Sequence, residues 1–291
     1  MFRVPRSAAA ILFMLLSAPA IAGPEGRAGG KLLLTNGIST IEGSTGGGLT
    51  PWATIAGNET RDGIGGQASA TQAELADYDF RSFSGAIGIF DRVELSYARQ
   101  RFDTNKVGGK LGLGNDYAFR QDIWGAKVKL FGDLVYGPEL LPAVAIGVQY
   151  KKNLNAPIVR AVGAGRAEDA DFYGSATKLL LRHSVLLNAT LRLTRANQFG
   201  LLGYGGDRND HRTLHIEASA AYQISRNFAV GGEFRSKPDN LGIAHEQDAL
   251  DVFAAYAIGR HVTATLAYAD LGDIATAPSQ RGALLQLQAA F

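Results

Sequence analysis

"LLQLQAAF", Leu284 to Phe291, decides the fold. Leu285, Leu287, Ala289 and Phe291 alternate with Gln286, Gln288 and Ala290, and the bulkiest apolar group comes last. The final residues of a soluble domain are usually frayed and polar. Strict alternation, at 180° per residue, is the mark of a strand with one apolar face.

The same period runs back through the chain. In "VAIGVQY", Val144, Ile146, Val148 and Tyr150 oppose Ala145, Gly147 and Gln149. In "LHIEASAAY", Leu214, Ile216, Ala218, Ala220 and Tyr222 oppose His215, Glu217 and Ser219. "FAVGGEF" and "HVTATLAY" follow the same rule. The pattern predicts about twelve strands (range about 10–14), at 50–57, 80–90, 92–102, 119–131, 142–152, 172–182, 184–195, 213–224, 227–236, 248–258, 261–269 and 280–291. A tilted membrane strand needs about 9–11 residues.

The connections alternate in length. Tight links at Asp91-Arg92, His183, Ser225–Asn227 and Gly259-Arg260, and a moderate one at "GDLVYGPELLP", separate long polar links at 58–79, 103–118, 153–171, 196–212, 237–247 and 270–279. Short periplasmic turns and long extracellular loops are the asymmetry of outer-membrane barrels. Tyr150, Phe234 and Tyr268 fall near the loop ends, and Tyr222, Phe228 and Phe291 near the turn ends, as two aromatic girdles would. The expectation is an all-β, antiparallel transmembrane β-barrel. A soluble lipocalin-like barrel, with its apolar face inward, is the alternative.

Residues 1–22 carry Arg3 and Arg6, the apolar run "AAAILFMLL" and small residues at Ala20 and Ala22. This is the layout of a signal peptide cut after Ala22. Its loss takes the formal charge from +2 to 0, which gives no reason to expect nucleic acid as a partner. The chain has no Cys, so thiolate metal sites are excluded. Residues 23–49 hold nine Gly in 27 positions, with "TNG" reading as a hairpin turn. This segment is either a periplasmic leader or a plug folded into the lumen with Leu32–Leu34 on its wall. Residues 50–291 form the barrel.

"GGGLTPWA" (46–53), "DRVELSYARQRFD" (91–103) and "FRQDIWGAKVKLFGD" (119–133) resemble a proteobacterial family of exported β-barrel proteins defined only as a domain of unknown function. The resemblance implies the fold and the cell outer membrane, and brings no activity or site residues. Phe291 is similar to the terminal signal read by the barrel-assembly machinery, which with outer-membrane lipid is an expected partner.

Enzymatic signals are weak. There is no G-x-S-x-G, phosphate loop or H-E-x-x-H. His183-Ser184 shares one tight turn, and His211 and His215 on a strand would lie about 13 Å apart. No catalytic residue, metal or cofactor is expected, and a membrane-embedded hydrolase ranks third. By parity the lumen is lined by Glu94, Lys127, Lys129, Gln149, Lys151, Lys178, Arg182, Arg192, Glu217, Glu233, Arg235 and Asp251. Their cationic excess suggests a narrow passive channel for small, anionic solutes. A closed structural or interaction barrel without conductance is the second reading. Parity also predicts that Arg at Ile146 is costly and Arg at Gln149 is tolerated.

Overall fold

The computed structural model describes residues 30–243 and 245–291. The signal peptide, its cut after Ala22 and residues 23–29 lie outside the described residues. Two short strands, β1 (Ile38–Ser39) and β2 (Thr45–Gly46), pair with each other. Twelve longer ones follow among the described residues: β3 (Ile64–Leu75), β4 (Asp79–Ile89), β5 (Val93–Asp103), β6 (Ala118–Phe131), β7 (Ala143–Asn153), β8 (Glu168–Leu180), β9 (Val185–Thr194), β10 (Thr213–Ser225), β11 (Phe228–Arg235), β12 (Ala249–Ala257), β13 (Val262–Asp270) and β14 (Arg281–Ala290). Each pairs antiparallel with its neighbours in sequence, and β14 pairs with β3, closing the sheet. Closure leaves no strand edge unpaired in lipid. Helices α1 (Asn105–Lys110) and α2 (Ala156–Ala161) are single turns in loops. Among the described residues no helix is long and apolar enough to cross a membrane.

The parity of the wall is as the alternation requires. Phe83, Leu95, Ile146, Leu191, Ile216, Val252 and Leu266 are exposed on the outer face. Tyr97, Trp124 and Tyr150 are cross-strand neighbours on β5, β6 and β7, with ring centroids 5.7 and 5.8 Å apart. They form part of one aromatic girdle. Phe228 and Tyr256 pair at the opposite end, 6.5 Å apart.

The first strand departs from expectation. Residues 50–57 are not wall: the barrel begins at Ile64, and "TPWATIAG" lies buried inside it. After Ile64 at its start, the apolar outward positions of β3 are Gly66, Ala68 and Ala70, the last paired with the larger Phe83 and Leu287. Side chains this small give almost no hydrophobic signal. Trp52 and Ile55 do give one, but it reflects burial in the lumen, at 4% and 0% exposure. The β3–β4 link is therefore residues 76–78, and one of the six links at the loop end is short.

The hairpin also differs. Residues Leu33–Asn36 form a turn, yet β1 and β2 are joined through Thr40–Ser44, where the Thr40 amide donates to the Ser44 carbonyl (2.8 Å) and Gly43 adopts φ 96°. Such a left-handed backbone suits glycine. Leu32 is 47% exposed, whereas Leu34 packs against the buried cluster that includes Phe253 and Ala255 of β12.

Candidate functional site: the filled lumen

Residues 35–57 are buried almost without interruption although they carry only four short strand residues. A segment with so little secondary structure of its own must find partners elsewhere for its backbone donors and acceptors. It finds them on the inner face of the barrel. The Ser39 amide donates to Gln288 Oε1 (2.6 Å), and its carbonyl accepts from Gln286 Nε2 (2.8 Å). The Ile41 carbonyl accepts from Ser82 Oγ (2.9 Å) and Gln100 Nε2 (2.8 Å). The Pro51 carbonyl accepts from Ser175 Oγ (3.0 Å) and Thr190 Oγ1 (2.9 Å), and the Ala53 amide donates to Thr177 Oγ1 (2.7 Å). Trp52 Nε1 donates to Ser219 Oγ (3.0 Å). A polar inner wall thus does for the segment what sheet pairing does elsewhere.

Charge is arranged in three groups along the lumen. Near the turn end, Glu94 bonds the Thr45 amide (3.1 Å) and the Ala56 amide (2.9 Å) and pairs with Lys127 (3.1 Å). Lys127 Nζ also donates to the Trp52 carbonyl (3.2 Å). Beside it, Asp91 joins Lys129 and Lys31. Lys31, Asp91 and Lys129 border a cavity of about 410 Å³ whose lining also includes Ile55, Arg61 and Tyr136. On the far wall, Glu233 accepts from the Leu49 amide (2.7 Å) and from Thr50 Oγ1 (2.6 Å), with Asp251 opposite it in the β11–β12 register.

The third group is central. Lys151 on β7, Arg192 on β9 and Arg235 on β11 converge on the carboxylate of Glu42, which the β1–β2 hairpin carries at its tip. Arg235 grips both oxygens, Nη1 to Oε2 at 2.9 Å and Nη2 to Oε1 at 3.1 Å. This is the forked geometry that makes arginine–carboxylate pairs strong and directional. Asp171 lies 2.6 Å from Lys151, and Glu217 pairs with Arg192 and, at 3.2 Å, with Arg235. Gln149 Oε1 accepts from Arg192 Nη1 (2.7 Å). Among the described residues the cluster comprises three cations (Lys151, Arg192, Arg235) and three carboxylates (Glu42, Asp171, Glu217). All six are 3% exposed or less.

A loop closes the other side. Between β9 and β10, residues Asn197–Gly200 turn inward, with Gln198 and Phe199 at φ 44° and 61°. The Phe199 ring lies 4.4 Å from the Arg235 guanidinium, and its carbonyl accepts from Gln121 Nε2 (3.1 Å). Tyr204, fully buried, donates to Gln121 Oε1 (2.7 Å). Lys237 holds Gln198 Oε1 (2.7 Å) and pairs with Glu246 at 3.3 Å. Both belong to the β11–β12 loop. Burial pulls the Lys237 ammonium below its ordinary value and pushes the Glu246 carboxyl above its own.

Of the residues that parity assigns to the lumen, Glu94, Lys127, Lys129, Gln149, Lys151, Lys178, Arg192, Glu217, Glu233, Arg235 and Asp251 are buried within it. Arg182 is not: β8 ends at Leu180, and Arg182 is exposed in a 3-10 turn, where period-2 parity no longer applies. Lys178 lies at the turn end, donating to the Asp133 carbonyl (3.3 Å). Glu42 and Asp171 escape a parity reading. Glu42 is outside the wall, and Asp171 is one residue ahead of the expected start of its strand. Phe291 ends β14 at the seam: its amide donates to the Gly66 carbonyl (2.8 Å), its carbonyl accepts from Asn58 and Gly66, and its ring stacks on His261 at 5.4 Å. His211 is exposed, and His215 bonds Thr213 and Ser236. Among the described residues no group of three or more His, Asp or Glu gathers as a metal site requires.

With fold and lumen in view, comparison with known proteins identifies the family. A family model described as "Protein of unknown function (DUF3034)" matches residues 35–288, from the lumen segment to the last strand. The chain belongs to the DUF3034 family. No curated protein is matched by its sequence. Two solved structures share the fold of this DUF3034 protein. One is described as the KdgM porin in complex with disordered oligogalacturonate (TM-score 0.51, 8% identity, 77% of this chain and 99% of that one). The other is the COG4313 outer membrane channel from Pseudomonas putida F1 (TM-score 0.51, 10% identity, 81% and 96%). The outer membrane phospholipase A of Escherichia coli is more distant (TM-score 0.40, 7% identity, 78% and 92%). The DUF3034 chain thus shares the closed β-barrel fold of these porin and channel structures.

Proposed function

We propose that this barrel is a passive channel for small solutes whose own N-terminal segment closes it, and that it favours anions when the segment leaves. The single observation that carries this reading is the chemistry of the wall facing the segment. Gln67, Ser82, Gln100, Ser175, Thr177, Thr190, Ser219, Gln286 and Gln288 hold the segment by hydrogen bonds. Water can satisfy every one of these groups when the segment withdraws, so opening costs little by way of unpaired polar atoms. An apolar seal would offer no such exchange. Withdrawal also takes Glu42 away, leaving three cations against two carboxylates at the centre. That excess raises the local concentration of anions.

The balanced six-charge cluster favours the second reading, a permanently closed structural or interaction barrel. Planar-bilayer recordings separate the two. The full chain is expected to stay closed for most of the record. A variant lacking residues 31–57, shown to be folded by its faster migration on an unheated gel, is expected to conduct steadily, with a reversal potential showing anion preference. A folded deletion variant that passes no current establishes the closed barrel instead. Export with removal of residues 1–22, reading of Phe291 by the barrel-assembly machinery, and contact of the outer face with outer-membrane lipid belong to the same proposal.

A further inference from the structure

We infer that Lys151, Arg192 and Arg235 form a binding site for the carboxylate group of a solute, and that Glu42 occupies this site as a tethered substitute for that ligand. The inference rests on the channel reading above and names both its solute class and the event that opens it.

Three features support a ligand site over a simple structural pin. The first is charge. The wall alone supplies three cations and two carboxylates, and the third carboxylate comes from a segment that is not part of the wall. The wall is therefore matched to one additional anion. The second is geometry. The Arg235 fork takes both oxygens of Glu42 while Lys151 and Arg192 approach from two other strands. Guanidinium forks recognise a planar carboxylate regardless of what carries it. The third is how Glu42 is presented. It stands at the tip of a hairpin with two residues in each strand. A hairpin of that size has little stability of its own and depends on what its tip touches. A competing carboxylate that takes the cations removes the contacts on which the tip depends.

The site also lies where the two closures meet. Glu42 reaches it from the turn end, and Phe199, stacked on Arg235, covers it from the loop end. Occupation by a free carboxylate thus bears on the N-terminal segment directly and on the inward loop through Arg235. A solute with one carboxylate and a small uncharged body fits this chemistry. A neutral solute of the same shape gains nothing from the cations.

The test is chemical rescue. Glu42→Ala empties the anchor, and propionate, which reproduces the carboxylate and two-carbon stem of a whole glutamate side chain, is the probe. Thermal unfolding of the folded barrel in detergent is followed in sodium propionate, in propionamide and in sodium chloride at equal ionic strength. The Glu42→Ala midpoint should fall below that of the intact protein and recover by several degrees in propionate, but not in propionamide or chloride. No recovery, or equal recovery with the amide, overturns the inference. Should Glu42→Ala not fold, Ser44→Cys provides a second test in a chain that has no other cysteine. Ser44 is 1% exposed beside Glu42, and its labelling by a membrane-impermeant maleimide should accelerate severalfold in propionate over chloride. An unchanged rate overturns the inference. Rescue by propionate while the deletion variant passes no current would keep the site and reject the channel. Conductance without rescue would do the reverse.

Discussion

Arg192→Leu is expected to cost the folded barrel about 3–5 kcal/mol, the usual penalty for removing one partner of a buried ion cluster. Arg192 is 1% exposed and touches Glu217, Glu42, Asp171 and Gln149. Its loss leaves two cations facing three carboxylates, all out of water. The cost comes from stranded charge rather than lost volume, and a second substitution exposes this. Arg192→Leu combined with Glu217→Leu restores two against two and should regain a large part of the stability, since balanced pairs replaced by apolar residues are often near neutral. Urea midpoints in one lipid, read for the single and double variants, check both statements. A double variant less stable than Arg192→Leu would show that the cluster is not governed by charge balance.

Ile146→Arg is expected to destabilise by about 2–4 kcal/mol, the cost of a basic residue on the lipid face near the bilayer midplane. Ile146 is 51% exposed on the outer wall, in register with Val128 and Gly174. The alternation alone predicts that Gln149→Arg, three residues along the same strand, is tolerated in a wet lumen. The structure alters that expectation. Gln149 is fully buried and accepts from Arg192, which also reaches Glu42 of the N-terminal segment. A longer side chain there overpacks a filled space, at about 1–3 kcal/mol, and places a fourth cation beside three. In the variant lacking residues 31–57 the same substitution has room and water, and its penalty should nearly vanish, whereas that of Ile146→Arg should not change. Urea midpoints of the four combinations decide the matter.

The sequence reveals the wall where outward residues are large. Val144, Ile146, Val148 and Tyr150 mark β7 without ambiguity, because lipid on one side and polar lumen on the other force a period of 2. It hides the wall where they are small. On β3, Gly66, Ala68 and Ala70 are outward, and "TPWATIAG" supplies a stronger but false strand signal from inside. The candidate site was half legible. Lys151, Arg192, Glu217 and Arg235 follow from parity, since a charge on an alternating strand must face inward. Glu42 does not: the plug reading of the Gly-rich segment puts Leu32–Leu34 on the wall, and nothing local shows which of its residues meet partners up to about 250 residues away, as Ser39 meets Gln288. The inward turn at Gln198-Phe199 has no sequence signature either; its left-handed backbone is imposed by bonds to Gln121 and Lys237.

The N-terminal segment lies inside the lumen against the β10–β11 wall. Thr50 and Ser219 meet there with their hydroxyl oxygens 2.5 Å apart, close enough for a disulfide to bridge the pair with little backbone movement. In Thr50→Cys/Ser219→Cys, a chain with no other cysteine, mild oxidation of the folded barrel should join the two thiols nearly completely, giving a band of altered mobility that reduction restores. Two free thiols in the folded, oxidised barrel, both open to an impermeant maleimide, would show that the segment lies elsewhere and contradict the account.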